Sequence, residues 1–195
     1  MKHLALLSMI LALGAPLGAA ADDDNRDTYT IDGRHTFPQY EVTHFGTSKQ
    51  RGRFDKTEGK LVFDASAHKG SVEVTIDTAS VSSGLAKLDE HLRSDEFFNV
   101  AKYPKMTFKS TDFVFEGDTP KKVNGELTLL GVAKPVTFDV DFFHCGVNPM
   151  LLRTVCGADL TAHIKRSEFG MKYLVGPVSD DVLLRVNVEA INDRK

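Results

Sequence analysis

Histidine is the residue type in this chain best suited to proton transfer, and two histidines stand in patterned segments. His91 lies in a segment with helical periodicity, one turn before Asp95, so the two side chains can form an ion pair. His44 alternates in step with Tyr40 and Val42 and so points with them toward an apolar interior, where histidine is usually a hydrogen-bonded core group. Neither has a serine or cysteine partner at a motif spacing, which nucleophilic catalysis requires. The sequence predicts no catalytic residue and no enzyme activity.

The same segment holds several carboxylates, which resemble the catalytic carboxyl pair of a glycosidase in residue type but not in surroundings. The acidic residues are interleaved with Lys87 and Arg93, on a helix whose apolar side carries Leu88 and Leu92. Mixed charge of this kind is typical of a solvated helix face, whereas a glycosidase holds two carboxyl groups across a substrate cleft. We therefore assign four carboxylates to the solvent: Asp89, Glu90, Asp95 and Glu96.

The two cysteines, Cys145 and Cys156, flank a turn-like segment between two candidate strands. In an exported protein this arrangement predicts a disulfide bond that staples one end of the domain. The competing interpretation is a metal site that adds His144, but this spacing matches none of the paired zinc patterns. Three further histidines, His35, His68 and His163, are scattered among strands and loops, so we predict neither a metal nor a cofactor.

Residues 1–21 have the features of a secretory signal. Lys2 supplies the positive start, residues 4–13 form an apolar run too short to span a bilayer, and residues 19–21 are small. No cysteine follows the apolar run, so lipid attachment is not expected. We predict cleavage after Ala21, a periplasmic location and one domain over residues 22–195.

Charge argues against two classes of partner. Removing residues 1–21 takes Lys2 away and moves the formal net charge from −3 to −4. A mildly acidic protein has no general attraction to nucleic acid or to anionic lipid headgroups. We therefore predict no nucleic-acid binding and no stable membrane insertion.

Nearly everything after residue 28 alternates apolar and polar residues with period two, apart from the helical segment at residues 85–98. Strands that follow one another without intervening helices bury their dry faces and remove their edges most economically as a barrel or sandwich. The chain is therefore predicted to be all-β, with a sheet closed over one helix. The predicted strands lie near residues 28–32, 36–46, 50–56, 59–65, 71–81, 105–116, 122–131, 134–143, 154–165 and 180–192.

The interior of such a barrel has two interpretations on composition alone. Thirteen phenylalanines, no tryptophan, and Met and branched aliphatic residues on the dry faces suit an alkyl or isoprenoid chain. A barrel of eight strands is also narrow enough for its own side chains to fill. Composition leaves lumen filling and ligand binding equally open.

Four segments together resemble the YceI-like family of exported, lipocalin-like isoprenoid-binding proteins, over the chain from about Tyr29 onward. Each segment alone is ordinary strand and turn chemistry, but as a set they are specific. They are HTFPQYEVTHFGTSKQRGRFD (35–55), LDEHLRSDEFFNVAKYPKMTF (88–108), VNGELTLLGVAKPVTF (123–138), and IKRSEFGM (164–171) followed by VSDDVLLRVNVEA (178–190). The segment GVNPMLLRTV (146–155) departs from the family pattern, and we expect it to reshape that rim of the barrel.

The resemblance implies an extended eight-stranded antiparallel barrel that holds an isoprenoid or other long-chain amphiphilic lipid without catalytic machinery. We expect the helix and residues 169–174 to act as lids. Strand parity and helix face predict the lining: Tyr40, Val42, His44, Phe63, Val74, Leu88, Leu92, Phe98, Met106, Phe108, Leu127, Phe138, Phe169 and Met171. For a phosphate headgroup, the candidate cations are Arg93, Lys102, Lys105 and Lys172, each of which has surface solubility as its alternative.

Three rival functions stay open on the sequence. The first is a quinone-binding component of periplasmic redox, and the second is a stress-responsive interaction module with a filled barrel. The third is a hydrolase whose base and nucleophile the sequence does not display. The sequence also leaves open whether two barrels pair as a homodimer to shield exposed phenylalanines.

Overall fold

The computed structural model describes residues 26–194, which form one antiparallel sheet and one α-helix. The predicted signal segment, residues 1–21, lies outside the described residues. The strand segments are β1 (Asp27–Ile31), β2 (Phe37–His44), β3 (Ser48–Phe54), β4 (Thr57–Asp64), β5 (Lys69–Asp77), β6 (Val81–Ser82), β7 (Lys105–Glu116), β8 (Thr119–Leu129), β9 (Val132–Asn148), β10 (Arg153–Lys165) and β11 (Asp181–Asn192); the helix is α1 (Ala86–Arg93).

The eleven segments make a closed antiparallel barrel of eight strands. Three barrel strands are each interrupted once: β1 continues as β2, β3 as β4, and β5 as β6. Each barrel strand pairs with its neighbours in the chain, and β11 closes the barrel by pairing with both β1 and β2. The predicted eight-stranded barrel is confirmed.

Each of the three interruptions begins at an aspartate: Asp32, Asp55 and Asp77. The Asp32 side chain accepts a hydrogen bond from the backbone N–H of Arg34 at 3.0 Å, and that of Asp77 accepts one from Ala79 at 2.9 Å. Short acceptors of this kind offer the backbone an alternative to the strand ladder. Because the three interrupted strands are neighbours in register, their interruptions lie side by side in the wall.

The helix is shorter than its periodicity predicts. Residues 85–98 were expected to be helical, but α1 ends at Arg93, where the Ser94 hydroxyl and N–H both donate to the carbonyl of His91. Leu92 is buried, as its helix face predicts, whereas Leu85 precedes the first turn and is 62% exposed. No helix within residues 26–194 has the length and apolar character needed to cross a bilayer.

The two ends of the barrel differ in their connections. The helix end carries α1, the β2–β3 turn (residues 45–47) and the long loop 166–180. The disulfide end carries three tight turns, residues 65–68, 117–118 and 149–152. At this end β9 continues to Asn148, five residues beyond the predicted strand, and forms a hairpin with β10.

The disulfide bond joins Cys145 and Cys156, which face each other across β9 and β10. The prediction of a disulfide is confirmed. The competing metal site is wrong because both sulfur atoms are bonded to each other. Within residues 26–194, no group of three His, Cys, Asp or Glu side chains is placed to hold a metal ion.

Candidate ligand-binding site

A continuous apolar cavity of about 630 Å³ runs along the barrel from the helix end to the disulfide end. Its size falls in the range of about 300–1,000 Å³ that ligand pockets of other proteins occupy. Strands form the cavity because every second side chain points inward. A barrel completely filled by its own side chains would leave no such space.

The structure places thirteen of the fourteen predicted lining residues on the cavity wall. They come from strands of both halves of the barrel, from α1 and from the loop that follows β10. They are Tyr40, Val42, His44, Phe63, Val74, Leu88, Leu92, Phe98, Met106, Phe108, Leu127, Phe138 and Met171. That these side chains contact a ligand stays a prediction.

Phe169 is the exception among the predicted lining residues. It ends the short 3₁₀ helix Arg166–Phe169 and is only 2% exposed, enclosed in the main hydrophobic core rather than facing the cavity. The neighbouring Met171 reaches the wall instead. Side chains outside strands have no period of two, so the direction of the Phe169 side chain could not be predicted from alternation.

Several lining residues were missed although the sequence carried their signal. The alternation of the last strand puts Val182, Leu184, Val186 and Val188 on one dry face, and all four line the cavity. Leu160 and Ile164 on β10 also line it. The same rule of parity that selected the predicted residues on other strands applies to these.

The disulfide end forms the floor of the cavity. Phe63 packs against Phe115 and Phe143, with ring centroids 5.9 and 5.3 Å apart. A second hydrophobic cluster around them includes Ile31 and Cys156. Ile31, Phe63, Phe143 and Cys156 all lie on the cavity wall, so the disulfide supports the floor directly.

Polar side chains on the wall are gathered in the half nearer the helix end. They are Tyr40, His44, Gln50, Ser83, His91 and Arg166. Gln39 and Arg51 also border the cavity, but they pair with Arg185 and Glu41 on the outer face of the barrel, and Thr36 lies deeper, where it bonds to the backbone of Glu189. The floor half offers almost entirely apolar surface. The cavity is therefore amphiphilic along its length, with its polar groups near the opening and its apolar part deep inside.

Tyr40 is the most unusual of these polar groups. Its ring lies across Gly52, where an added Cβ would sit 2.3 Å from the phenol oxygen, so only glycine fits there. Within residues 26–194 the phenol has no hydrogen-bond partner, and it is left available to a ligand. Burial, with a smaller contribution from Asp89, raises the pKa of Tyr40 to about 12, so the phenol is a neutral donor at ordinary pH.

Arg166 holds the long loop of the helix end together. Its guanidinium is buried and donates to the carbonyls of Ser179 (2.9 Å), Val178 (3.0 Å), Tyr173 (2.7 Å) and Met171 (3.3 Å). Burial lowers its pKa from the ordinary value, and the charge of Asp180 acts in the opposite direction. The sequence marked Arg166 only as part of a family-like segment, because its partners are backbone groups that have no sequence signature.

The loop and the helix meet over the opening through three aromatic rings. His91 on α1 packs edge-on against Phe97 and Tyr173, with ring centroids 5.0 and 5.6 Å apart, and Phe97 packs against Tyr173 at 5.4 Å. The ring of His91 is also held by Glu96, 2.5 Å away. These contacts join the helix and the loop at the helix end, and that the two act as lids stays a prediction.

The structure places none of the four candidate headgroup cations on the cavity wall. Arg93 donates to the carbonyls of Ala79 (2.8 Å) and Val81 (2.9 Å) and thereby ties α1 to the barrel. Lys105 lies 3.7 Å from Glu58, Lys102 lies over the ring of Tyr103, and Lys172 is exposed. Arg166 is the cation that borders the cavity instead, whereas Arg51 pairs with Glu41 on the outer face of the barrel. The sequence did not predict either position because each depends on long-range pairing.

Comparison with known proteins assigns the family. The YceI-like domain model matches residues 29–190. A UPF0312 protein of Pseudomonas aeruginosa is 40% identical over 186 residues, covering 93% of this chain and 95% of the relative. Protein YceI of Escherichia coli is 37% identical over 169 residues, covering 85% and 87%.

Solved structures share the fold. Burkholderia cenocepacia BcnA superimposes with a TM-score of 0.68 at 26% identity, covering 82% of this chain and 98% of that one. The Campylobacter jejuni YceI protein gives 0.67 at 29% identity, covering 78% and 90%. A polyisoprenoid-binding domain from Saccharophagus degradans gives 0.59 at 16% identity, covering 84% and 98%. With the sequence matches above, these likenesses establish that the chain belongs to the YceI-like family.

Proposed function

We propose that this protein is a periplasmic carrier that sequesters one isoprenoid or other long-chain amphiphilic lipid inside the barrel. The observation that carries the proposal is the cavity itself, about 630 Å³ in volume and lined mostly by apolar side chains. Apolar contact along its length supplies the affinity, since burying apolar surface contributes about 25 cal/mol per Å². The polar groups near the opening set the orientation of the ligand.

The chemistry of the ligand follows from the asymmetry of the wall. A long tail fits the apolar floor around Phe63 and Phe143, and a polar head fits near Tyr40, His44 and Gln50. The Saccharophagus degradans domain of the same fold is a polyisoprenoid-binding domain, which supports an isoprenoid tail. The signal-like residues 1–21 support the periplasmic location.

We propose binding rather than catalysis because the serine and the histidine on this part of the wall, Ser83 and His91, do not pair with each other. The Ser83 hydroxyl donates to Asp89 at 2.6 Å, and His91 is held by Glu96 at 2.5 Å. A hydrolase needs its nucleophile within hydrogen-bond reach of its base. The family assignment also favours a binding protein.

Native mass spectrometry of the protein purified from its own periplasm tests this proposal. We expect one adduct of isoprenoid or fatty mass, which organic extraction of the denatured sample then identifies. A quinone in the extract would support the redox alternative. A clean apoprotein mass that also fails to take up added polyprenyl lipid would overturn the carrier function and favour an interaction module.

A matched pair of variants separates cavity binding from general effects of mutation. Val186→Trp projects a large ring into the cavity from β11, whereas Arg185→Trp places the same ring on the exposed face of the adjacent position. We expect Val186→Trp to abolish lipid uptake and Arg185→Trp to retain it. Equal uptake by both variants would place the ligand outside the cavity.

A further inference from the structure

The outer part of β9 has a neighbouring strand on one side only. β10 pairs with β9 as far as Asn148, whereas β8 pairs with it no further than Lys122 opposite Asp139. Within residues 26–194 no other strand pairs with this part of β9. Residues 143–148 therefore present one unpaired strand edge, on the side away from β10, which we call the β9 edge.

The disulfide register shows which backbone groups point to the β9 edge. Cys145 and Cys156 face each other with their Cα atoms 4.0 Å apart. That spacing is close to the about 4.5 Å of a non-hydrogen-bonded pair and far from the about 5.5 Å of a hydrogen-bonded one. The N–H and C=O of Cys145 thus point away from β10. The register is unbroken from Phe142 to Asn148, so Phe143 and Val147 point theirs the same way.

The side chains around the β9 edge are apolar and uncharged. Residues 142–152 contain no Asp, Glu, Lys or Arg, and the first charged residues beyond them, Asp141 and Arg153, have opposite signs. Exposed strand edges are commonly protected from pairing by Lys or Pro, but neither stands within residues 143–148. Five large apolar side chains of this hairpin are exposed: Phe142, Val147, Met150, Leu151 and Leu152.

A second unpaired edge, on β3, has the opposite character. β3 pairs with β6 only through Arg53 and Phe54, so residues 48–52 have no strand on that side. This edge carries Lys49 and Arg51. Two copies of the chain paired there in antiparallel would bring these cations together, and like charges facing each other across strands are destabilising. The β3 edge is thus protected against pairing, whereas the β9 edge is not.

The backbone groups decide what kind of partner fits the β9 edge. A lipid bilayer offers no hydrogen-bonding groups in its hydrocarbon region, so unpaired strand edges do not enter it. Another strand satisfies those groups directly. The partner therefore has to supply an extended backbone and apolar side chains without charge, and β9 of a second copy supplies both.

We propose that two copies of the chain form a homodimer by antiparallel pairing of their β9 edges, with Cys145 on the two-fold axis. Phe143 of each copy then lies opposite Val147 of the other. The backbone groups that these three residues point to the edge are all paired in this register. An interface between identical edges is self-complementary, as two-fold symmetry requires.

The same register covers the exposed apolar side chains. Asn148 of one copy lies opposite Phe142 of the other, so the hairpin tip, residues 149–152, continues past Phe142 of its partner. The tip and Phe142 are the most exposed apolar parts of this end, and each copy covers those of the other. The dimer joins the two disulfide ends and leaves both helix ends accessible. The inference therefore goes beyond the proposed function and does not rest on it.

Sedimentation velocity over a range of protein concentrations tests for the dimer, which we expect in equilibrium with monomer. Val147→Pro removes an N–H from the β9 edge and leaves the bonds to β10 intact, so dimer affinity should fall at least about tenfold. Val147→Lys, at a side chain 70% exposed, should do the same by introducing charge. The matched control Phe45→Lys, at a side chain 64% exposed at the helix end, should dimerise like wild type.

A wild type that stays monomeric at every concentration would overturn the proposal. Wild-type dimer affinity in a folded Val147→Lys variant would also overturn it. Val147→Lys keeps this test decisive even if proline at the same position prevents folding.

Hydrogen exchange read by mass spectrometry locates the interface. Amides in a peptide over residues 142–148 should exchange more slowly in concentrated than in dilute protein, while residues 48–52 should exchange equally in both. Slower exchange confined to other segments would overturn pairing at the β9 edge. A monomer that binds vesicles and loses binding on Met150→Asn would assign the tip to a bilayer and overturn the dimer. Lipid uptake by Val147→Pro should match wild type, so a failure of uptake overturns the carrier function alone.

Discussion

The two ends of the barrel are closed by different kinds of contact. The disulfide end is closed by a covalent bond, tight turns and stacked phenylalanines, and it forms the floor of the cavity. The helix end is closed by side chains that donate to backbone carbonyls and by three aromatic rings. In the proposed carrier the floor has to persist, whereas the opening has to exchange its contacts, and noncovalent contacts can be broken and remade.

The largest expected effect comes from Arg166→Met. Losing the guanidinium leaves the carbonyls of the long loop without their donor, and we expect the free energy of unfolding to fall by about 3–5 kcal/mol. Arg153→Met is the matched change at the other end, where the guanidinium donates to the carbonyl of Asn192, and it should cost about 1 kcal/mol. Urea denaturation measures both. Equal losses would show that Arg166 does not organise its end of the barrel.

Breaking the disulfide is the next largest change. The Cys145→Ser and Cys156→Ser double variant should lower the free energy of unfolding by about 2–3 kcal/mol, because the bond closes a short loop. Lipid uptake at low temperature should stay close to wild type, since the opening lies at the other end. Reduced uptake by fully folded variant protein would contradict this separation of floor and opening.

Alkaline pH should weaken the helix end through Tyr40. Its pKa in the folded protein is raised to about 12, so the neutral phenol stabilises the fold below pH 10 and this contribution is lost as the pH rises from 10 to 12. We expect a loss of about 2 kcal/mol in the wild type that is absent from Tyr40→Phe. Urea denaturation across this range compares the two proteins. Parallel curves would show that Tyr40 titrates as an ordinary exposed phenol.

The smallest expected change in the free energy of unfolding comes from one turn residue at each end of the barrel. Phe45→Asn and Leu152→Asn each put a residue that tolerates the left-handed region where a bulky one now stands, and each should raise the free energy of unfolding by about 0.5–1 kcal/mol. Thermal unfolding measures the gain. A loss of stability at position 45 alone would mean that the edge-on contact of the Phe45 ring with His44, with centroids 4.7 Å apart, outweighs the backbone strain.

The direction of each strand side chain was predictable because every second residue of a half-buried strand is apolar and faces the same side. That rule put Val74, Phe108 and Phe138 on the cavity wall correctly, and it would have found Val186 had it been extended to the last strand. Alternation also predicted a barrel or sandwich, and the family resemblance predicted the eight-stranded barrel. The rule ends where the chain leaves the sheet, which is why Phe169 was placed on the wall and lies in the core instead.

The charged groups of the site were less predictable. Arg93 was selected because it lies beside the opening in sequence, but it bonds to the carbonyls of Ala79 and Val81. Arg166 takes its partners from the backbone of its own loop, and Arg51 takes Glu41 from the neighbouring strand. The partners of a long cation depend on three-dimensional approach, which periodicity does not encode.

The pairing order of the strands has a consequence for biosynthesis. All hydrogen-bonded strand pairings in the barrel join neighbours in sequence except the seam where β11 meets β1 and β2. A chain made from its amino terminus can therefore build most of the wall as a growing open sheet, with strand edges exposed on β1 and on the newest strand. The seam requires residues 181–192, so we expect the lumen to close only after this last strand has been made.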